Sequence, residues 1–306
     1  MNVMEVQNIT KDYGHGRGVF DVSFQVKKGE IMGFLGPNGA GKTTTIRQLM
    51  GFIRPDSGRV SILGKDCFGQ REEIQRTLGY LPGEIAFIDS MTGMEFIGFI
   101  ASMKGMKDLG RTPELRERFE LSAEGKLKKM SKGMKQKIGI ICAFMQDPDI
   151  LILDEPTSGL DPLMQNAFVE LLLEEKKNRK TILMSSHIFE EVEKTCDRTA
   201  IIRDGRLMAV EDMEILRQGR RKTVELVLDD AKTAKEFEEK LRDNKAAQQL
   251  MKSRAEENRL FVKVKGAEGM DQLVKMAGQY TVKDLNIHTQ SLEDMFMHFY
   301  GGEKDD

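Results

Sequence analysis

Residues 34–45 read FLGPNGAGKTTT and begin inside the short apolar run EIMGFL. Three glycines here precede a lysine and three threonines, with the spacing Gly36-x-x-x-x-Gly41-Lys42-Thr43. Glycine reaches backbone angles that other residues avoid, so the segment can turn tightly and point several backbone N–H groups at one place. The next segment, TTTIRQLMG, is predicted to be a helix, whose free N-terminal N–H groups favour an anion. Strand, glycine-rich loop and helix together predict a P-loop that binds the phosphates of a nucleoside triphosphate.

The loop and the first turn of the following helix provide the residues expected to contact the nucleotide. They are Gly36, Pro37, Asn38, Gly39, Ala40, Gly41, Lys42, Thr43 and Thr44. The stretch DILILDEPTSGLD, residues 149–161, adds two acids after four apolar residues. A P-loop enzyme needs a carboxylate at a strand end to bind Mg²⁺, with a loop hydroxyl as a further ligand. Asp154 and Thr43 are therefore predicted to hold the metal, and Glu155 is predicted to lie near the γ-phosphate and polarise water.

The bulk composition excludes several classes of function. The chain has 306 residues, enough for two unequal domains, and a net charge of −2 from 47 basic and 49 acidic residues. No global field draws it to nucleic acid, and no nucleic-acid partner is expected. Three cysteines without paired spacing indicate a reducing compartment rather than disulfides or a zinc site. No apolar run in the sequence approaches the roughly 18 residues of a membrane-spanning helix, so work at a membrane would need another chain.

The order of segments through about residue 215 predicts an α/β fold. Short apolar strands alternate with amphipathic segments, which is typical of a mostly parallel sheet covered by helices. The predicted strands are IMGFL, LGYL, ILILD, TILMSS and RTAIIRDG. The opening stretch with VFDVSFQVKKGE alternates like an antiparallel hairpin at one edge. Residues 83–145 are helix-rich, with MEFIGFIASM and PELRERFEL at helical spacing, and are predicted to form a helical insertion.

A second domain is predicted over residues 218–306, after a first domain of residues 1–217. TVELVLDD reads as a strand, AKTAKEFEEKLRD as a helix, and QQLMKS and RLFVKVKG as two strands around an AEEN turn. MDQLVKMAG is predicted to be a helix and TVKDLNI a strand, which completes the β-α-β-β-α-β order of a ferredoxin-like α+β domain. SLEDMFMHFY is predicted to be a final helix with one apolar stripe, formed by Leu292, Met295, Phe296 and Phe299.

With the P-loop and the string LDEPTSGLD, the chain resembles the ATP-binding cassette (ABC) ATPases over residues 1 to about 215. The resemblance implies a RecA-like P-loop core, ATP and Mg²⁺ as cofactors, and Glu155 as the general base. It also implies that residues 158–161 communicate across a dimer. His187, in MSSH after a strand, matches the switch histidine that contacts the γ-phosphate. Tyr13, in KDYG, matches the aromatic residue that stacks on adenine.

Two motifs depart from the family pattern. The signature, usually Leu-Ser-Gly-Gly-Gln, is here MSKGMKQK, in which Ser131 and Gly133 remain while Lys132 and Met134 replace a glycine and the glutamine. Ser131 and Gly133 precede a helix, so a phosphate site is still expected there. In GYLPGE the family's metal-binding glutamine aligns with Gly83, and Glu84 follows it. No metal role is assigned to either of these two residues.

A cluster of lysines surrounds the signature. Its members are Lys126, Lys128, Lys129, Lys132, Lys135 and Lys137. Such a run is either a solvated face or a surface that attracts an anion, either the ATP of a partner subunit or lipid headgroups. The sequence leaves both interpretations open.

The resemblance implies a machine of several chains. In the family, two ATP molecules lie between two cassettes, so a chain with one cassette is expected to form a homodimer, with a heterodimer as the alternative. The transmembrane permease is expected to be a separate chain that docks on the helical insertion, with this protein at the cytoplasmic face of the cell membrane. The C-terminal domain resembles the appendage of bacterial exporter-type ATPases, including those for drugs and antibiotics, which predicts export of a drug, antibiotic, lipid or peptide.

Three other functions compete with this one. A DNA-repair or chromosome-structure ATPase would place long coiled coils between the P-loop and the signature. Here fewer than about a hundred residues separate these two motifs, and no extended heptad pattern occurs between them. A ribosome-binding cassette protein usually carries two cassettes in one chain, whereas this sequence contains one. The third alternative is a regulatory switch whose C-terminal domain senses a ligand, although dimer contact or stability is the simpler role for that domain.

Overall fold

The computed structural model describes residues 1–218, 222–244, 251–291, 293 and 295. The chain divides into two compact units, Met1–Met213 and Glu214–Asp306, whereas the sequence places the boundary after residue 217. The strands of the first unit are β1 (Asn2–Asp12), β2 (Gly18–Lys27), β3 (Ile31–Leu35), β4 (Ser57–Ile62), β5 (Lys65–Asp66), β6 (Leu78–Leu81), β7 (Ile150–Asp154), β8 (Thr181–Ser186), β9 (Arg198–Arg203) and β10 (Arg206–Asp212). Its helices are α1 (Lys42–Leu49), α2 (Arg71–Thr77), α3 (Gly93–Met103), α4 (Thr112–Arg118), α5 (Lys132–Phe144), α6 (Pro162–Lys177) and α7 (Phe189–Thr195).

The central sheet has the strand order β10-β9-β3-β8-β7-β6. Strands β9, β3, β8, β7 and β6 are parallel, and β10 pairs antiparallel with β9 at one edge. Every residue of β3, β7 and β8 is buried, as expected for parallel strands covered on both faces. The five predicted strands of this sheet are confirmed. Because parallel strands end at the same edge, β3, β7 and β8 bring their carboxyl ends together.

A second sheet lies over the first unit's core with the order β2-β1-β4-β5. The predicted hairpin is its β1–β2 pair, which is antiparallel, while β4 and β5 lie outside the sequence prediction. Its core side packs against β3, where the rings of Phe24 and Phe34 lie 5.1 Å apart between centroids. The hairpin therefore belongs to a sheet of its own that supports the strand leading into the P-loop.

Helices α3, α4 and α5 form the predicted insertion between β6 and β7. Thr92 starts α3 with a capping box: its side chain accepts from the Glu95 N–H, and the Glu95 carboxylate accepts from the Thr92 N–H. Ser131 caps α5, since its hydroxyl accepts from the Met134 N–H at 3.2 Å. The signature motif thus lies at the N-terminus of a helix, as expected.

The second unit begins in α8 (Met213–Gln218) and contains β11 (Lys222–Leu228), α9 (Ala231–Asp243), β12 (Met251–Glu256), β13 (Arg259–Val264), α10 (Gly266–Ala277) and β14 (Val282–Thr289). In its described part the strands are antiparallel in the order β12-β13-β11-β14, which is the ferredoxin-like topology that the sequence predicts. Phe237 of α9 is fully buried on this sheet, and its ring stacks on Tyr280 with 4.4 Å between centroids.

β12 continues to Glu256, so the turn is limited to Glu257 and Asn258 rather than the whole of AEEN, because Ala255 and Glu256 still pair with β13. The start of QQLMKS, and nearly all of the predicted C-terminal helix with its apolar stripe, lie outside the described residues.

Cys67, Cys142 and Cys196 are buried thiols, and burial raises the pKa of each to about 12. Within the ranges given above, we find no helix with the length and apolar character that crossing a bilayer requires.

Candidate nucleotide-binding site

The P-loop connects the carboxyl end of β3 to the N-terminus of α1. At Gly36 a Cβ would lie 2.4 Å from the carbonyl oxygen of Ile202, so only glycine lets the chain pass this close to β9. Gly41 caps α1 with φ +109°, a left-handed conformation that glycine adopts without strain. Pro37, Asn38 and Gly39 are exposed at the tip of the loop, while Ala40 is buried below it. The loop has the strand–turn–helix context that the motif requires.

Lys42 lies at the centre of the loop and is only 5% exposed. Its ammonium donates to the carbonyl oxygens of Gly36 at 2.6 Å and Pro37 at 3.3 Å. It also lies 3.0 Å from Glu155 Oε1. The positive charge of Lys42 is thus balanced by protein groups, and its ammonium lies inside the turn formed by the P-loop. Thr43 and Thr44 follow it in the first turn of α1 and are partly exposed.

Asp154 ends β7 and is fully buried. The hydroxyl of Thr43 donates to Asp154 Oδ2 at 2.8 Å, and the hydroxyl of Ser185 on β8 donates to Oδ1. The carboxyl group therefore links the end of β7 to β8 and to the first turn of α1 through two side-chain contacts. A buried carboxylate of this kind is stabilised by hydroxyl donors that offset its lost hydration.

Glu155 follows β7 with φ +50°, a conformation that costs a non-glycine residue of order 1–3 kcal/mol. Its N–H donates to the Ser185 carbonyl at 3.2 Å and to the Ser185 hydroxyl at 3.0 Å, which holds the backbone in this position. The carboxylate lies between Lys42 and His187, whose Nδ1 is 2.6 Å from Glu155 Oε2. The structure therefore brings Lys42, Glu155 and His187 into direct contact.

Two neighbouring groups have shifted pKa values. Burial raises the pKa of Glu191, whose Oε2 accepts from the Ser186 hydroxyl at 3.1 Å just before His187. The pKa of Tyr80 is raised to about 12, first by burial and then by the negative charge of Asp154. Both groups therefore stay protonated to a higher pH than their ordinary values.

Tyr13 lies in the loop between β1 and β2 and is 51% exposed. The start of β2, just after that loop, packs against the P-loop: a Cβ at Gly41 would lie 2.6 Å from Val19 Cγ1 and 3.3 Å from the Gly18 carbonyl oxygen. The exposed ring of Tyr13 therefore lies on a loop that leads directly into a segment in contact with the phosphate-binding turn.

The signature approaches the loop that follows Glu155. A Cβ at Gly133 would lie 2.8 Å from the Gly159 carbonyl oxygen, so the two backbones nearly touch. Ser131 uses its hydroxyl to cap α5 and is exposed, and Gly133 is half-buried. Among the described residues, no hydrogen bond connects either of them to the P-loop of its own chain.

The position of the family's glutamine is occupied by backbone alone. A Cβ at Gly83 would lie 3.2 Å from Asp154 Oδ2, so this residue lies beside the buried carboxylate without offering a ligand. Glu84, the next residue, is exposed.

Sequence reasoning missed Ser185 and Gln136. Gln136 is 4% exposed and donates to the carbonyl oxygens of Pro156 at 2.7 Å and Glu155 at 3.3 Å. Ser185 stands in the quoted MSSH string, and Gln136 in MSKGMKQK, but their roles depend on contacts between β7, β8 and α5 that no local pattern encodes.

These features define a P-loop nucleotide-binding cassette, and comparison with known proteins agrees. Residues 19–158 match the ABC transporter family model. The bacitracin transport ATP-binding protein BcrA of Bacillus licheniformis is 37% identical over 235 residues, 76% of this chain and 77% of that protein. The linearmycin resistance ATP-binding protein LnrL of Bacillus subtilis is 37% identical, with 68% of each chain covered. The chain therefore belongs to the ABC transporter ATP-binding proteins and is an ATPase subunit of that class.

Solved structures agree with this assignment. The structure of an ATP-binding subunit of an ABC transporter has 34% sequence identity and a TM-score of 0.65, over 71% of this chain and 92% of that one. The dimeric structure of MJ0796, a bacterial ABC transporter cassette, has a TM-score of 0.63 over 69% of this chain and 98% of that one. At 23% identity it supports the fold alone.

Proposed function

We propose that this protein powers export through a separately encoded transmembrane permease, working as a dimer of cassettes at the cytoplasmic face of the membrane. The observation that carries the proposal is the convergence of Lys42, Asp154, Glu155 and His187 at the carboxyl ends of β3, β7 and β8. Export is supported by the names of its relatives, which include the Nod factor export ATP-binding protein I of Ralstonia nicotianae, 34% identical over 68% of this chain and 66% of that one. A nucleic-acid-associated or purely regulatory role finds no such support.

The donor set fits Mg²⁺. Thr43 offers a hydroxyl and Asp154 a buried carboxylate, both hard oxygen ligands, and Gly83 adds no side chain that would fill the space beside Asp154. In the described ranges, no group of three or more His, Cys, Asp or Glu side chains is arranged to hold a metal ion by itself. Mg²⁺ usually relies on one or two carboxylates plus substrate phosphates. Bound there, the metal would neutralise charge on the β- and γ-phosphates.

In this proposal Glu155 is the general base. Its carboxylate takes a proton from the water that attacks the γ-phosphorus, while the bond from that phosphorus to the bridging oxygen breaks and ADP leaves. His187 holds Glu155 from the opposite side and contacts the γ-phosphate. Lys42 exchanges its contacts with Glu155, Gly36 and Pro37 for phosphate oxygens, which frees the base.

The position of the signature supports the dimer. Ser131 and Gly133 do not reach their own P-loop, so they are available to cover ATP held by a second cassette. A nucleotide that binds the closed dimer more tightly drives closure, and hydrolysis removes that advantage. Closure would then move the permease.

A groove beside the helical insertion supports docking of the permease. This cavity of about 300 Å³ lies between α2, β6, α3, α5 and the segment that follows α1, and its lining includes Phe52, Tyr80, Ile85, Phe96 and Ile100. Phe52 is 52% exposed although its ring packs edge-on against Tyr80, 5.7 Å between centroids. An exposed apolar groove of this kind fits an apolar segment of another chain.

Coexpression with a candidate permease tests the proposal. We expect the two chains to copurify, ATP hydrolysis to respond to transported substrate, and inverted membrane vesicles to accumulate that substrate when ATP is supplied. Phe52→Glu should lower copurification at least about tenfold by placing a charge in the groove, and leave the ATPase of the isolated chain intact. Met208→Glu, at an exposed site on β10, is the matched control. Copurification that survives Phe52→Glu would exclude the groove as the docking site.

Tyr13 provides a test of nucleotide recognition. Tyr13→Ala should weaken ATP binding by about 5- to 150-fold, since base stacking contributes about 1–3 kcal/mol. Tyr13→Phe keeps the ring face and should bind ATP like the wild type. Titration with inorganic triphosphate is the control, because it lacks a base and should bind both variants equally. Equal losses for ATP and triphosphate would show that Tyr13 shapes the loop rather than stacking on adenine.

A further inference from the structure

Lys132 occupies an unfavourable position for a lysine. It is the first residue of α5, directly after the cap Ser131, and the first turn of α5 contains no acidic residue. A positive charge at a helix N-terminus opposes the helix dipole at a cost of typically 0.3–1 kcal/mol. The family signature has a glycine at this point. The lysine therefore needs a contact that offsets this cost.

The contact is with the loop that follows Glu155. The ammonium of Lys132 donates to the Ser158 hydroxyl at 2.9 Å. Its methylene groups cover Gly159, where a Cβ would lie 3.0 Å from Lys132 Cγ and Cδ. Gly159 has φ +82°, and with no side chain it leaves room for the lysine. Glycine in place of Lys132 could make neither contact.

This loop is rigidly connected to the proposed base. The Ser158 N–H donates to the Glu155 carbonyl oxygen at 3.1 Å, which closes a tight turn. Gln136, one turn along α5 from Lys132, donates to the carbonyl oxygens of Pro156 and Glu155. Helix α5 is therefore hydrogen-bonded to the turn at two points. One is the buried side chain of Gln136, and the other is Lys132 at the exposed N-terminus of the helix.

We propose that Lys132 is a positioning residue that transmits displacement of the signature to Glu155 of the same chain. The proposal rests on the proposed function, in which Ser131 and Gly133 touch ATP held by the partner cassette. When contact with that ATP displaces the N-terminus of α5, the hydrogen bond from Lys132 displaces Ser158 as well. The turn between Glu155 and Ser158 then transmits this displacement to Glu155. Occupation of one site is thereby linked to the base of the other site.

A double-mutant cycle tests the link. Lys132→Met keeps the methylene stem and removes the donor, Ser158→Ala removes the acceptor, and the third variant combines both. We expect each single change to lower kcat for ATP by about 3- to 10-fold and to reduce the Hill coefficient toward 1, with KM within about twofold. The double variant should be no slower than the slower single variant, since both break one contact. Lys132→Arg should restore most of the rate.

The alternatives give different results. If Lys132 instead attracts the partner's triphosphate directly, Lys132→Met raises KM, Ser158→Ala changes nothing, and the proposal fails. If both variants match the wild type, or if their effects on kcat multiply, the proposal also fails. Lys129→Met removes an exposed lysine of the same cluster and is the charge control. Thermal melting of every variant separates an altered rate from unfolding. A wild-type chain without ATPase activity would contradict the proposed function itself, whereas an additive cycle in an active enzyme contradicts only the role of Lys132.

Discussion

Replacing Glu155 with glutamine is expected to lower kcat for ATP hydrolysis by about 100- to 10,000-fold, the range for loss of a general base. The amide has nearly the shape of the carboxylate, so it can keep a contact to His187 but cannot accept a proton from water. It also cannot form the ion pair that now holds Lys42 at 3.0 Å, so ATP binding should be retained or strengthened. Single-turnover hydrolysis and equilibrium ATP titration measure the two effects separately.

An assembly measurement and a control variant provide further tests of the role of Glu155. With hydrolysis blocked, ATP should shift the variant from monomer to dimer in gel filtration or analytical ultracentrifugation, because the closed state is no longer reset. Glu190→Gln, a matched change at an exposed site on α7, should leave the rate and the assembly unchanged. Hydrolysis by Glu155→Gln at the wild-type rate would remove Glu155 as the base.

The second large effect is expected from Lys42→Met, which keeps the aliphatic stem and removes the charge. Hydrogen bonds to charged groups contribute about 1.5–3 kcal/mol each, so loss of two phosphate contacts should weaken ATP binding at least about 100-fold. Fluorescent-ATP titration measures this. Lys177→Met, at an exposed position at the end of α6, is the control.

The fold of the Lys42 variant also needs to be checked. In the structure Lys42 is buried and donates to the carbonyl oxygens of Gly36 and Pro37, so its removal leaves two acceptors without that donor. Circular dichroism and thermal melting should show a folded chain, since Pro37 lies at the exposed loop tip and only the Gly36 carbonyl is in a buried residue. A folded variant with wild-type affinity for ATP would mean that this loop does not hold the phosphates.

The sequence predicted the central sheet well because its strands are buried on both faces. IMGFL, ILILD and TILMSS are continuous apolar runs, and each forms a strand whose residues are all buried. β4 was missed since the first half of Ser57–Ile62 is exposed and polar, and β10 was missed because an edge strand shows only partial burial. The strands of the C-terminal unit could be predicted because apolar and polar residues alternate along them, and this alternation is a local pattern.

The residues of the candidate site also fall into two groups, those that local motifs identify and those whose contacts depend on the tertiary fold. Glycine spacing and the two acids after ILIL are local signals, so Lys42, Thr43, Asp154 and Glu155 could be named from the sequence. The contact between Lys42 and Glu155 joins the first turn of α1 to the residue after β7, and it depends on how their side chains meet. The contact of Lys132 with Ser158 depends on the close approach of α5 to a loop 26 residues away, which spacing alone does not give.

The buried thiols have a practical consequence for spectroscopy. A thiol with a pKa of about 12 is ionised at pH 7 in roughly one molecule in 100,000, and the thiolate is the form that maleimides and methanethiosulfonates attack. A cysteine introduced at a surface site should therefore be labelled selectively in the wild-type background. Paired spin or fluorescence labels could then record the opening and closing of the two cassettes in real time, without first replacing any native sulfur.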